Sequence, residues 1–190
     1  ADPAQLCAIF VTHEHSDHVK GLRVFASRHQ ISVYASEGTL QALEEAQILN
    51  GKFPAGVVPK SGMEAGNLFV RPFSIPHDCR EGFGYVIELP GERRLAVATD
   101  MGVMTDEVMA AISGCDLVVL ESNHDVRMLE NGPYPYPLKR RILSDRGHLS
   151  NEACSCVLGQ LVERGTTRFC LAHLSRENNI PQLARQTAVA

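Results

Sequence analysis

No apolar run in this 190-residue sequence approaches the roughly 18 to 20 residues a membrane-spanning helix needs, and the first residues lack the basic-then-apolar layout of a secretory signal. A soluble protein with no membrane partner is expected. Cysteine occurs six times, at Cys7, Cys79, Cys115, Cys154, Cys156 and Cys170, but never as a C-x-x-C pair. Several of the six fall in apolar stretches, as reduced core thiols do, so a reducing, cytoplasmic compartment is expected. An excess of charge is also missing: 18 Lys and Arg against 22 Asp and Glu leave a formal charge of −4. That argues against a broad basic surface and confines any polyanion site to a local patch. There is no internal repeat, low-complexity tract or linker. With 44% apolar and 21% charged residues the chain is not disordered, and one domain over residues 1–190 is the economical expectation.

What is present is an alternation of short β-branched runs with amphipathic segments. Strands are predicted at Leu6 to Thr12, Ile31 to Ala35, Leu68 to Ile75, Gly84 to Leu89, Arg94 to Thr99, Asp116 to Leu120 and Thr167 to Ala172. Helices are predicted over 17–29, 37–49, 105–113, 137–145 and 151–164, with Gly114 and Gly165 as stops. A hairpin through Pro90 and Gly91 fits a pure doubly wound parallel sheet poorly, which favours a mixed α/β layer structure. The proline-rich run Asn131 to Pro137 is expected to be a stiff, extended surface loop.

The strongest chemical signal follows the first strand. His13, Glu14, His15, Ser16, Asp17 and His18 put three imidazoles and two carboxylates into six residues at a strand end. A core would not tolerate that density unpaired, whereas imidazole and carboxylate together are ligands of zinc, manganese or iron. His77, Asp100 and His173 also end predicted strands, and His148 opens the segment Gly147 to Asn151. Each alone reads as a satisfied strand-end residue; together with the first cluster they supply two metal sites.

These residues resemble the metallo-β-lactamase fold superfamily, whose HxHxDH motif is matched by His13, His15, Asp17 and His18, and whose later motifs are matched by His77, Asp100 and His173. The stretches Leu120 to Asp125, Ser144 to Asn151 and Ala172 to Asn179 resemble its WalJ/YycJ-type branch, described as double-strand DNA exonucleases. The resemblance runs from about Asp2 to Leu183. It implies an αββα sandwich. Family members carry extra strands before the one that leads into the motif, so an N-terminally truncated first sheet is expected.

The resemblance also implies one divalent ion, zinc or manganese with iron possible, on His13, His15 and His77. A second would sit on Asp17, His18 and His173, with Asp100 bridging. Such a pair lowers the pKa of a bridging water and neutralises charge on a phosphoryl or acyl oxygen. Asp17 is placed to orient the resulting nucleophile, and His148 to contact the scissile phosphate or protonate the leaving oxygen, as histidine can near neutral pH. Ser150 reads as the N-cap of the following helix, which would put His148 where helix amides favour an anion.

Glu14 and Ser16 are expected to face away from the metals. Asp78 either orients an imidazole or caps a turn. Glu121 and His124 are cleft candidates on resemblance alone. Cys154 and Cys156 should point to different helix faces.

The fold hosts thioester, lactone and phosphodiester hydrolysis alike, so the surroundings must choose the substrate. Lys139, Arg140, Arg141 and Arg146 lie shortly before His148, and Arg127 and Arg176 flank other motif stretches. Such residues near a two-metal centre suit a phosphate backbone, and Tyr134 and Tyr136 could present rings to an unpaired base. Otherwise the charges form a solvated helix face and the tyrosines pack a rigid loop. The reading is a metal-dependent phosphodiesterase acting on nucleic acid, a DNA 5′-exonuclease. The alternatives are a small-substrate thioester, lactone or cyclic phosphodiester hydrolase, which a dispersed basic cluster would favour, and a non-catalytic metal-loaded DNA-repair subunit.

Overall fold

Successive side chains on a strand face opposite ways, so a strand buried on both faces must be apolar at odd and even positions alike. The computed structural model, which describes residues 2–190, uses this rule in both of its sheets. The first sheet is parallel throughout, in the order β1 (Ala8–Phe10), β2 (Ser32–Ala35), β3 (Ala55–Val57). Parallel neighbours need crossovers, and these are α1 (Ser16–Val19) with α2 (Leu22–His29), then α3 (Glu37–Glu45). Val33 and Ala35 of β2 pack with Leu22, Ala26 and Leu43 of those helices, while Tyr34 faces the opposite way.

The second sheet has six strands in sequence order: β4 (Met63–Ala65), β5 (Leu68–Ser74), β6 (Phe83–Leu89), β7 (Arg93–Ala98), β8 (Leu117–Glu121) and β9 (Arg168–Ala172). Pairing is antiparallel from β4 to β7 and parallel from β7 to β9. Its connections carry α4 (Asp106–Ile112) between β7 and β8, then α5 (Val126–Asn131), α6 (Tyr136–Ile142) and α7 (Asn151–Glu163) between β8 and β9, and α8 (Pro181–Ala188) ends the described chain. Phe83 and Tyr85 of β6 face the first sheet, joining Phe10 and Tyr34; Val86 packs with Val108, Ile112, Leu158 and Leu161 on the other side. The Tyr85 hydroxyl donates to Val11 O at 2.7 Å and pins the sheets together. The layers run helix, sheet, sheet, helix, as expected. Among the described residues no helix is long and apolar enough to cross a membrane.

Several boundaries differ from the sequence reading. The helix predicted over 17–29 is two helices, because Gly21 N-caps α2 after α1 has made one turn. The helix predicted over 37–49 ends at Glu45, and Gln47 beyond it takes a left-handed φ of 56°. The stiff loop expected from Asn131 to Pro137 is corrected: α5 runs through Asn131 and α6 starts at Tyr136. Pro137 lies in the first turn of α6, where a missing N–H leaves no bond unmade. Gly114 and Gly165 do follow α4 and α7 with positive φ, at 69° and 93°.

Candidate metal centre

Two antiparallel steps separate β5 from β7, so β5 runs in the same direction as β7, β8 and β9. Their C-terminal ends therefore lie along one edge of the second sheet, where side chains just past each strand converge. β1 delivers its following loop to the same edge, because Phe83 N, at the start of β6, donates to Thr12 O at 2.9 Å. The residues beyond these ends are His13 to His18 after β1, His77 after β5, Asp100 after β7, Glu121 at the end of β8 and His173 after β9. Asp100 and His173 hold left-handed backbones, φ 63° and 55°, at the two places where a strand must turn its side chain into the site. Asp and His are among the residue types that tolerate this region best.

The predicted ligands assemble in two groups. Single atoms of His13, His15 and His77 lie within 4.8 Å of one another, as do those of Asp17, His18 and His173, and Asp100 groups with His13 and His18. Hydrogen bonds fix which nitrogen faces the centre. Thr12 Oγ1 lies 3.1 Å from Nδ1 of both His13 and His18, so each presents Nε2. His77 Nδ1 donates to Gly147 O at 3.2 Å, leaving Nε2 only 3.2 Å from His15 Nδ1. His173 Nδ1 donates to Glu121 Oε1 at 2.7 Å, and its Nε2 is 3.6 Å from Asp17 Oδ2. Asp100 Oδ2 stands 3.4 Å from His18 Nε2 and, with His13 Nε2, is buried without a hydrogen-bond partner. Buried polar atoms are rarely left so, and lone pairs aimed at one another are what a cation resolves. These residues fit divalent ions.

Electrostatics agree with that chemistry at His13 and Asp100 and oppose it at His173, whose ring must lose a proton before it can bind a metal. Burial holds His13 down to about 3, a neutral imidazole able to donate its lone pair. Burial would also lower His173, but Glu121 and Asp100 outweigh it and push the ring up to about 9. Burial acts against the Asp100 carboxylate too, yet the His18 and His173 imidazoles hold it well below the usual range.

Glu121 is fully buried and is a hub of hydrogen bonds. Oε1 accepts from His173 Nδ1 and from His148 Nδ1 at 2.8 Å, while Oε2 accepts from the amides of Met101 and Leu149 at 3.0 and 3.1 Å. All its lone-pair positions are used, although it lies within ligand distance of Asp100, His148 and His173. His148 is thereby oriented by a carboxylate, while Ser150 caps α7 as expected, its own oxygen accepting from Ala153 N and taking up one of the helix's first amides.

Other sequence candidates are sorted by position. The Asp78 carboxylate neither caps a turn nor chiefly orients a ring; Arg141 grips it through Nε and Nη2 and holds it down to about 2. Glu14 accepts from Arg80 N at 2.7 Å, away from the clustered imidazoles, whereas Ser16 lines the same pocket as His15 and Asp17. The basic cluster disperses. Arg141 lines the pocket, Lys139 Nζ donates to Glu130 O, and Arg146 clamps His77 O. His124 is buried beside the site with Nε2 unpartnered. Cys154 is buried and Cys156 exposed, on different faces as expected. The role of Thr12 was not visible in sequence; only its place beside His13 hinted at it.

Residues 1–174 match the family described as the beta-lactamase superfamily domain. The chain belongs to this superfamily. Among its relatives is exodeoxyribonuclease YycJ of Bacillus anthracis, 40% identical over 183 residues, with 94% of this chain and 68% of that protein covered. Exodeoxyribonuclease WalJ of Streptococcus pneumoniae is 36% identical over 191 aligned residues, with 98% and 70% covered. The solved metallo-β-lactamase fold protein YhfI from Bacillus subtilis superposes with a TM-score of 0.75 at 16% identity, covering 98% of this chain and 72% of its own. That likeness concerns the fold, and it matches the αββα layering. The superfamily and the clustered ligands together imply divalent metal ions at this sheet edge.

Proposed function

We propose that this chain is a metal-dependent phosphodiesterase that removes nucleotides from DNA ends, working from the 5′ end, with two divalent ions at the clustered ligands. The observation that carries the reading is the convergence of His13, His15 and His77 beside Asp17, His18 and His173, with Asp100 between them, in a chain 36 to 40% identical to proteins named exodeoxyribonucleases. Zinc and manganese suit the imidazole and carboxylate set, and iron is a third candidate. Bound there, such ions supply a lowered water pKa and charge neutralisation at a phosphoryl oxygen.

The chain's own residues supply the rest. Asp17, two-thirds exposed at the start of α1, orients the attacking water's proton toward its carboxylate. His148 lines the 310 Å³ pocket with Nδ1 tied to Glu121, so Nε2 is the atom free to protonate the leaving oxygen. Arg141 spends Nε and Nη2 on Asp78 and keeps Nη1 for a phosphate.

A second reading, a hydrolase of small substrates, is favoured by the dispersal of Lys139 and Arg146 from the pocket wall. One assay separates the readings: the metal-loaded chain on end-labelled single- and double-stranded DNA beside a thioester and a small cyclic phosphodiester. Release of labelled mononucleotides is the expected result. Turnover of a small substrate alone overturns the nuclease reading, and DNA binding without turnover of anything identifies a non-catalytic subunit.

A further inference from the structure

A second cleft, of 420 Å³, opens beside the metal pocket, within the roughly 300 to 1,000 Å³ typical of small-ligand sites. The two share Arg141, His148 and His173 in their linings, so the cleft adjoins the clustered ligands. Leu138 and Ile142, one turn apart on α6, form one apolar side, and Leu174 just past β9 forms the other. Tyr134 completes the lining and is half-buried, whereas Tyr136, two residues on, is 71% exposed.

The cleft is preformed on both sides. Pro135 restricts Tyr134 to an extended backbone, so little backbone freedom is lost when its ring meets a ligand. Across from it, Ser175 N donates to Asn123 O at 2.7 Å, and Asn123 Nδ2 donates to His173 O at 2.9 Å, which fixes the segment after β9. Arg176 on the rim is exposed and has no ion-pair partner among the described residues. Glu177 beside it weakens the attraction for a bare phosphate and suits a base bearing an exocyclic amine. An aromatic face, an aliphatic floor and one free guanidinium make a poor site for a thioester acyl chain and a good one for a nucleoside attached to a phosphate.

We propose that this cleft is the nucleoside subsite: it takes the base and sugar next to the scissile phosphate, with Tyr134 as the stacking surface and Arg176 on the following phosphate. This rests on the nuclease reading above. The experiment measures kcat/KM of the metal-loaded full chain on two end-labelled DNA strands, one natural and one with an abasic residue at the terminal nucleotide. On natural DNA Tyr134→Ala is expected to lose about tenfold through KM, within the range aromatic stacking supplies, and Tyr134→Phe to stay within about twofold of wild type. With the abasic end the ratio of wild type to Tyr134→Ala should fall to about one. An equal loss on both substrates, or none on natural DNA, overturns the subsite. Arg176→Gln, at an exposed position that does not threaten folding, is expected to flatten the slope of log affinity against log salt by about one, and an unchanged slope overturns the phosphate contact. Wild-type chain that releases no nucleotide from either strand overturns the nuclease reading and the subsite with it, a result distinct from active wild type with an indifferent Tyr134.

Discussion

Thr12→Val keeps the shape and the β-branching of the side chain and removes a single oxygen, and that oxygen serves a histidine of each proposed metal group. In the native chain it accepts from His13 Nδ1 and His18 Nδ1, each at 3.1 Å, while the Thr12 carbonyl that holds Phe83 is untouched by the change. The two imidazoles differ in what they can do without it. His13 is fully buried, so its N–H finds no water, and an unsatisfied buried donor costs about 2 kcal/mol. His18 has 20% of its side chain exposed and can turn to solvent, which limits its loss to about 0.5 kcal/mol. At 1.4 kcal/mol per tenfold, the ion on His13, His15 and His77 should bind about 30-fold more weakly, and the ion on Asp17, His18 and His173 about twofold more weakly. Competition titration with a chromophoric chelator reads the two affinities, and Thr12→Ser, which restores the oxygen, should recover both. Wild-type affinity at both positions in Thr12→Val, or a loss larger at the His18 group, would refute the reasoning.

Asp100→Ala should lower metal content from about two ions per chain toward one or fewer, read by elemental analysis without chelator; an unchanged single tight ion sinks the two-ion arrangement. Arg141→Ala should flatten the salt dependence of DNA binding, while Lys139→Ala and Arg140→Ala should not, since only Arg141 lines the pocket. Equal effects from all three would mean that the face of α6 acts as a diffuse charge. His148→Ala should retain both ions and the fold yet lose a hundredfold or more in turnover, about the scale of general acid catalysis. Loss of metal in that variant would make His148 a ligand.

The sandwich and the side chains that cluster at its edge were legible for the same reason. A strand that feeds a ligand must be apolar until its end and polar just past it, and that step is visible at Val11 to His13, at Ala98 to Asp100 and at Ala172 to His173. The elements missed lack such a signal. β3 and β4 are three residues each, too short for an alternation; α5, behind Asp125, has only six residues, and α8 starts at Pro181 after Ile180, with no side-chain cap to announce it. The basic run Lys139 to Arg141 misled because a sequence shows charge density but not direction: on one turn of helix only the third residue faces the pocket.

Glu121 shows where sequence reading stops on physical grounds. A glutamate closing an apolar strand is ambiguous until its partners are known, and here four residues come from three places: His148 and Leu149 before α7, His173 after β9, and Met101 after β7. None is near it in sequence; the closest lies 20 residues away. The burial of its charge is tolerated because four donors meet one carboxylate, and removing any one leaves the others facing an under-satisfied ion in a dry place. The same contacts tie the residue proposed to hold metal, His173, to the residue proposed to move a proton, His148, through a single oxygen. A change at Glu121 must therefore reach both proposed functions at once, whereas a change at Thr12 reaches only the proposed metal groups.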